Sequence, residues 1–411
     1  MSASGPTSPK PLRLLVHDYS GHPFQVQLSR SLAARGHTML HIHCASYTTG
    51  KGAITSSPTD PSNFEVQSID LGGTWDRYRW GPRIRQERRY GAEFVRLASA
   101  FDPDLVISCN DPLFAKSRSV SWFRRSDTPW LFWLQDLYSV AMAEQAVRKL
   151  RALGRPLGWA FQSLERRALR EATEVVAITD DFLPLLESWQ VPHERCTVIE
   201  NWAPLPEISV RRQDNQWSRA RGLAGKQVVL YSGTLGLKHN PQAILDVALA
   251  NRDNPDVAVV VVSEGLGSAW LSRRVVDLGL TNLTVEPYQP YEHLPDVLAT
   301  ATVLLALLER GAGGYSVPSK LLTYLCAGRP IVAAMPAENL GARLIERAGA
   351  GVVVPPEDGF AVVAAIRTVL EDPAGAAARG QRARAYAERE FDIDDITNRF
   401  EHLIDRALSR R

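Results

Sequence analysis

Three glycine-bearing segments hold the side chains best placed to do chemistry. In one, Gly311, Gly313 and Gly314 lead into Ser316, Val317, Pro318, Ser319 and Lys320, with an apolar run over 301–308 before them and a helical pattern after. Backbone N–H groups at a helix start and the positive end of the helix dipole favour anions, and Lys320 adds a charge within the first turn. The natural guest is a phosphate or a diphosphate. In another, Gly233, Thr234, Leu235 and Gly236 follow the apolar run 228–232, and Lys238 comes two residues later. A lysine just past a strand-glycine turn suits the same kind of anion. The third is Ser20, Gly21 and His22 after the run 12–17, where Gly21 permits close backbone approach. Each segment alone would also serve as an ordinary turn.

The elements that must position these loops alternate in type. Leu12 to His17 reads as a strand, Gln25 to Arg35 as a helix closed by Gly36, and Thr38 to Cys44 as a second strand. Further strands are expected at 105–108, 130–134 and 175–179. The second half repeats the scheme at 228–232, a helix from Pro241, 257–263 and 283–286. The unit 301–334 follows, with Pro318 in a first helical turn, Leu321, Leu322 and Leu325 on one apolar face, and Gly328 and Pro330 ending the helix. Strands alternating with helices imply an α/β protein of two Rossmann-like, doubly wound parallel-sheet domains facing a cleft, with ligands beyond the carboxyl ends of the strands. The proline-bearing stretch 202–206 places the boundary near residue 208. The expected division is a disordered tail (1–11), an N-terminal Rossmann-like domain (12–207), a C-terminal Rossmann-like domain (208–385), and a C-terminal stretch (386–411). In that last stretch a helix near Ile393 to Leu408 packs across a domain surface.

Bulk composition excludes several classes. At 411 residues the chain exceeds what one core normally serves. Its 47 Lys and Arg nearly balance 45 Asp and Glu, so a net charge of +2 carries no global signal for nucleic acid. Cys44, Cys109, Cys196 and Cys326 are far apart with no CxxC, which argues against a disulfide framework or structural zinc and fits a reducing cytoplasm. The opening residues read as neither signal peptide nor membrane span, because His17 and Asp18 break the first apolar run. A soluble or peripheral protein is expected.

Several segments in family order resemble family 4 glycosyltransferases of the GT-B fold, in particular the bacterial branch that builds surface polysaccharides. They are Tyr231 to Lys238; Ser263, Glu264, Gly265; Tyr288 to Pro295; and Pro318, Ser319, Lys320 through Gly328, Arg329, Pro330. The first half adds Ser20, Gly21, His22; Gln135 with Asp136; and Ile199 to Trp202. The resemblance implies a retaining transferase that moves a sugar from a nucleotide-sugar donor to an acceptor hydroxyl, with no cofactor and no bound metal. It places Lys238 and the Ser316–Lys320 turn on the donor diphosphate, which develops charge as it leaves. Gly233, Thr234 and Glu264 would line the donor, and the loop from Tyr288 would cradle the base. Gly21, His22 and Asp136 would face the acceptor or the transferring sugar, with Lys238, Asp136 and His22 as the catalytic candidates.

One position departs from the family pattern. A glutamate that contacts the ribose is expected five residues before the helix-ending glycine, and Thr323 stands there; its partner position is Tyr315. A hydroxyl can still bond a ribose hydroxyl, without the added strength of a charge. Other readings of the same chain are a GT-B nucleotide-sugar 2-epimerase and a non-catalytic sugar-nucleotide binding protein. A nicotinamide dehydrogenase would need a complete Gly-x-Gly-x-x-Gly after a domain's first strand, and none is present.

Two stretches interleave rings with basic groups: Trp75, Tyr78, Trp80 and Tyr90 with Arg77, Arg79, Arg83, Arg85, Arg88 and Arg89, and Trp159 and Phe161 among Lys149, Arg151, Arg155, Arg166, Arg167 and Arg170. That mixture suits an anionic membrane surface and a lipid-linked saccharide acceptor. It also suits a solvated helix face with its rings in the core.

Overall fold

The structure, a computed structural model, describes residues 10–46, 54–72, 80–109, 111–236, 239–310 and 319–410. The tail 1–9, Trp75, Arg77, Tyr78, Arg79, Lys238, Tyr315, Ser316, Val317 and Pro318 lie outside the described residues. Two compact units divide the chain: Met1–Glu200 with Ile393–Arg411, and Asn201–Asp392.

The first unit runs β1 (Arg13–Asp18), α1 (Pro23–Ala34), β2 (Thr38–Cys44), β3 (Phe64–Ile69), α2 (Trp80–Phe101), β4 (Leu105–Cys109), α3 (Leu113–Ser126) and β5 (Trp130–Leu134). It continues through α4 (Tyr138–Leu150), α5 (Gly154–Glu171), β6 (Glu174–Ala177), α6 (Leu183–Ser188) and β7 (Cys196–Val198). The seven strands form one parallel sheet in the order β3-β2-β1-β4-β5-β6-β7. Parallel sheets covered on both faces require unbroken apolar strands, and β5, Trp-Leu-Phe-Trp-Leu, is buried at every residue.

The second unit runs α7 (Gln216–Arg219), β8 (Gln227–Ser232), α8 (Pro241–Ala250), β9 (Val257–Val262), α9 (Leu266–Leu278), β10 (Leu283–Glu286) and α10 (Leu294–Ala299). Then come β11 (Val303–Leu307), α11 (Lys320–Ala327), β12 (Ile331–Ala334), α12 (Leu340–Ala348), β13 (Gly351–Val354), α13 (Gly359–Glu371) and α14 (Pro373–Glu390). Six parallel strands take the order β10-β9-β8-β11-β12-β13. β9, with five valines in six residues, is buried throughout and lies in the centre of the main core with Val229, Leu245, Leu305 and Ile366. β11, α11 and β12 form the expected unit, with β11 and β12 as neighbouring parallel strands.

After α14 the chain returns to the first unit as α15 (Ile393–Ser409). Its Phe400 ring sits 4.8 Å from that of Trp133 on β5. Arg406 bonds the buried Glu174 carboxylate at 3.0 Å, and Arg410 approaches it at 3.3 Å. Arg35, just past the end of α1, donates to Asn398 at 2.6 Å. A carboxylate out of water is costly unless paired, so these arginines make α15 an integral part of this unit.

Candidate functional site

In the second sheet the strand order reverses between β8 and β11, and loops leaving those two strands flank the crevice where ligands of such sheets bind. The loop after β8 opens with Gly233 at φ 131°. A Cβ there would stand 3.1 Å from Cε of Lys320, the first residue of α11, so glycine makes room for that side chain. The Lys320 ammonium lies 3.9 Å from the centre of the Tyr231 ring and donates to the Tyr231 hydroxyl. That hydroxyl in turn donates to the Thr234 carbonyl at 2.8 Å. Tyr324, one turn along α11, accepts from the Ser232 N–H at 2.9 Å and donates to the Ser232 carbonyl at 3.0 Å. The helix start is thereby tied to the end of β8, with a cation held in the crevice.

Thr234 and Tyr288 meet through their hydroxyls at 2.5 Å, although 54 residues separate them. Burial raises the Tyr288 pKa, and the nearby Glu264 charge raises it further. Glu264 itself is exposed, while its carbonyl accepts from the Leu235 N–H at 3.2 Å. Thr323 is half-buried and donates its hydroxyl to the Lys320 carbonyl at 2.8 Å, one turn back on its own helix. Its oxygen keeps acceptor capacity. Ser319 is exposed immediately before α11.

The loop from Tyr288 has a scaffold that its own residues do not announce. Arg221 donates to both oxygens of Glu286, at 2.7 and 2.8 Å, and to the Gln289 side-chain carbonyl at 3.2 Å. Its guanidinium stacks 4.0 Å from the Trp217 ring, whose Nε1 also donates to Gln289 at 3.3 Å. A planar, bidentate cation of this kind fixes geometry as well as charge. The strand end and the loop after it are thus pinned by Trp217 of α7 and by Arg221 just past it.

In the first unit the equivalent reversal falls between β1 and β4. Asp18 ends β1 and is 1% exposed. Its carboxylate accepts from the Gly21 N–H at 3.0 Å, from the His22 N–H, and from His22 Nδ1 at 3.2 Å. The Gln25 amide nitrogen, oriented to satisfy both groups, donates to it at 2.7 and 2.9 Å. Burial alone would raise the pKa of Asp18, but the charge and hydrogen bonds of His22 outweigh it and hold the group below its usual value. His22 shows the mirror image. Burial disfavours its cation, yet Asp18, with a further contribution from Asp136, raises its pKa. The imidazole remains 39% exposed, so Nδ1 is anchored while the ring still reaches solvent. Asp136 lies in the β5–α4 loop, as expected of a residue past a strand end.

Below this loop the sheet carries a buried polar core. His17 bonds Ser108 at 3.2 Å and Tyr90 at 3.0 Å, and Lys116 bonds Ser108 at 2.7 Å and pairs with Asp111 at 2.6 Å. Burial pushes Asp111 up to about 6 despite Lys116. Two of the interleaved rings lie in the core and one of the basic groups is paired: Tyr90 is fully buried against His17, Phe161 is buried beside Ala146, and Arg83 pairs with Glu87 at 2.8 Å. These two rings join the core because the helices that carry them must cover the sheet. Asp18 was the residue of this loop hardest to see, since four residues before a histidine is a spacing of little meaning until a loop closes it.

Two parallel sheets of seven and six strands, each with its crevice at the strand-order reversal, define the GT-B class of Rossmann-like architecture. A family model for the glycosyl transferase 4-like domain matches residues 22–202, and one for glycosyl transferases group 1 matches 213–387. The chain belongs to the family 4 glycosyltransferases. It is 33% identical over 176 residues to WcaI of Escherichia coli K12, which carries the name of a colanic acid biosynthesis glycosyl transferase. That match covers 43% of this chain and 42% of WcaI, so the chain spans less than half of that relative's length. Among solved structures it is similar to sucrose-phosphate synthase from Thermosynechococcus elongatus, with a TM-score of 0.72, 17% identity, and coverage of 97% of this chain and 100% of the other. HepE of Anabaena, crystallised with UDP, gives 0.69 and 17% over 96% of this chain and all of its own.

Proposed function

We propose that the protein is a retaining, metal-independent glycosyltransferase of the cytoplasm that moves a sugar from a nucleotide-diphosphate sugar to an acceptor hydroxyl. The acceptor is a lipid-linked saccharide in cell-surface polysaccharide or glycolipid assembly. The observation that carries the reading is the Lys320 ammonium held beside Gly233 at the reversal of the second sheet. Departure of a nucleoside diphosphate concentrates negative charge on its phosphate oxygens, and a preorganised cation at a helix start stabilises that charge without having to reorganise. Lys238 supplies a second cation on the same β8–α8 connection. Thr234, Tyr288 and Thr323 hydroxyls offer the uncharged contacts that the base and ribose need, with Thr323 in the glutamate's place. On the other unit, Asp18 holds His22 so that its free ring nitrogen faces the acceptor, beside Asp136. The surface-polysaccharide assignment draws support from the name of WcaI, and the nucleotide donor from the UDP held by HepE.

The test is transfer from a panel of nucleotide sugars to lipid-linked saccharide acceptors, with the anomeric configuration of the product read by NMR. Retained configuration, activity that survives a chelator, and loss of most turnover in Lys238→Ala are expected. Conversion of donor by the enzyme alone, with no acceptor, would identify an epimerase instead. Tight donor binding with no transfer to any acceptor would leave a binding protein.

A further inference from the structure

Helices α4 and α5 form a hairpin whose outer end is unlike the rest of the first unit. Their close approach depends on small residues: a Cβ on Gly158 would stand 2.8 Å from that of Ala143. Leu157 and Phe161 turn inward to Leu113 and Ala146. Left outside are Trp159, 68% exposed, Leu150, 47% exposed, and Val147, 42% exposed. Val147 and Trp159 line an open pocket of about 560 Å³ together with Arg148, Arg155 and Glu144. From Arg148 to Arg170 there are seven basic residues and one acid, Glu165, which is buried, in a chain whose net charge is only +2. Among the described residues, Arg148, Lys149, Arg151 and Arg155 have no carboxylate within ion-pair distance.

We propose that this end of the hairpin is a docking surface for an anionic lipid bilayer. A large exposed ring with two aliphatic neighbours is costly in water and favourable at the headgroup boundary, where indole and aliphatic groups can leave water while arginine and lysine stay at phosphate level. Four cations around the apolar tip match the negative surface potential of such a membrane, each contributing about fivefold to binding. Among the described residues no helix is long and apolar enough to cross a bilayer. The surface is built from α4 and α5 and uses none of the side chains assigned to donor or acceptor, so it holds or fails independently of the transferase reading.

Sedimentation of the full chain with vesicles tests the proposal. The protein is expected to pellet with vesicles of equal parts phosphatidylglycerol and phosphatidylcholine, to stay in solution with phosphatidylcholine alone, and to be released by high salt. Trp159→Ser should weaken binding about tenfold, and Arg148→Ser with Arg155→Ser about twentyfold or more, with melting temperatures unchanged. Arg124→Ser with Arg125→Ser, which removes the same charge from exposed positions on α3, should leave binding intact. Equal binding to neutral vesicles, or equal loss from the α3 pair, would overturn the proposal. So would a chain that ignores vesicles and instead forms a dimer, or binds single-stranded DNA, in a manner lost with Trp159→Ser.

Discussion

Replacing Lys320 with alanine isolates the central claim about the donor site, because the side chain has two roles with separable readouts. Its ammonium rests on the Tyr231 ring and bonds the Tyr231 hydroxyl, and it lies where Gly233 leaves space. Losing the ring contact removes about 0.5–1 kcal/mol of stability, a fall in melting temperature of no more than about 4 °C. Losing a charged hydrogen bond to a diphosphate removes about 1.5–3 kcal/mol of binding, or about 10- to 150-fold in Kd. Titration calorimetry with a nucleoside diphosphate and with its parent nucleoside separates the two. The diphosphate should weaken by that factor and the nucleoside should be nearly unaffected, since the Thr234–Tyr288 contact and the Arg221 scaffold remain. Lys320→Arg should restore only part of the loss, because the longer, planar group has little room against the Gly233 backbone. An equal loss for nucleoside and diphosphate would mean that the variant had deformed the loop. No loss at all would remove Lys320 from the diphosphate and refute the reasoning.

Three further outcomes follow from the same geometry. Gly233→Ala places a Cβ at a φ of 131° and against Lys320, so it should cost about 1–3 kcal/mol in thermal unfolding and weaken diphosphate binding as well; an unchanged melt and affinity would contradict the role given to this glycine. Asp18 raises the His22 pKa, so His22 stabilises the fold fully below its unfolded pKa and that contribution fades as pH rises through the folded value. Asp18→Asn should move the His22 NMR titration to lower pH, and an unmoved midpoint would break the link. Glu165, buried where it accepts from the Ser139 N–H and hydroxyl, is pushed up to about 7 from 4.5 by burial. The unfolded chain loses that proton first, so stability should fall by about 3 kcal/mol as pH rises through this window and then level off. Denaturant unfolding of Glu165→Gln should show a flatter profile between those values.

Much of the architecture was legible because central strands of parallel sheets must be continuously apolar: Trp130–Leu134 and Ile331–Ala334 stand where their residue types place them. β3 was missed for the opposite reason. It is an edge strand with Glu65 and Gln67 exposed or half-exposed between buried ends, and alternation over six residues is a weak signal. β7 is only three residues long, too short for any periodicity. In the site, loop glycines and Lys320 could be read locally, whereas Tyr231 meets Lys320 across 89 residues and Arg221 meets Glu286 across 65. Such pairs exist only after the sheet has formed. Asp18 carried no local signal beyond breaking the first apolar run, because its partners converge only when the β1–α1 loop closes over it.

The return of α15 to the first unit has a consequence for the order of synthesis. Trp133 and Glu174 precede the second unit in the chain, yet Phe400, Arg406 and Arg410, which cover and neutralise them, follow it. The first unit is therefore completed only after the second has been translated. Until the intervening 192 residues of the second unit have been translated, the first carries an uncovered tryptophan and an uncompensated buried acid, both of which favour an open or chaperone-held state.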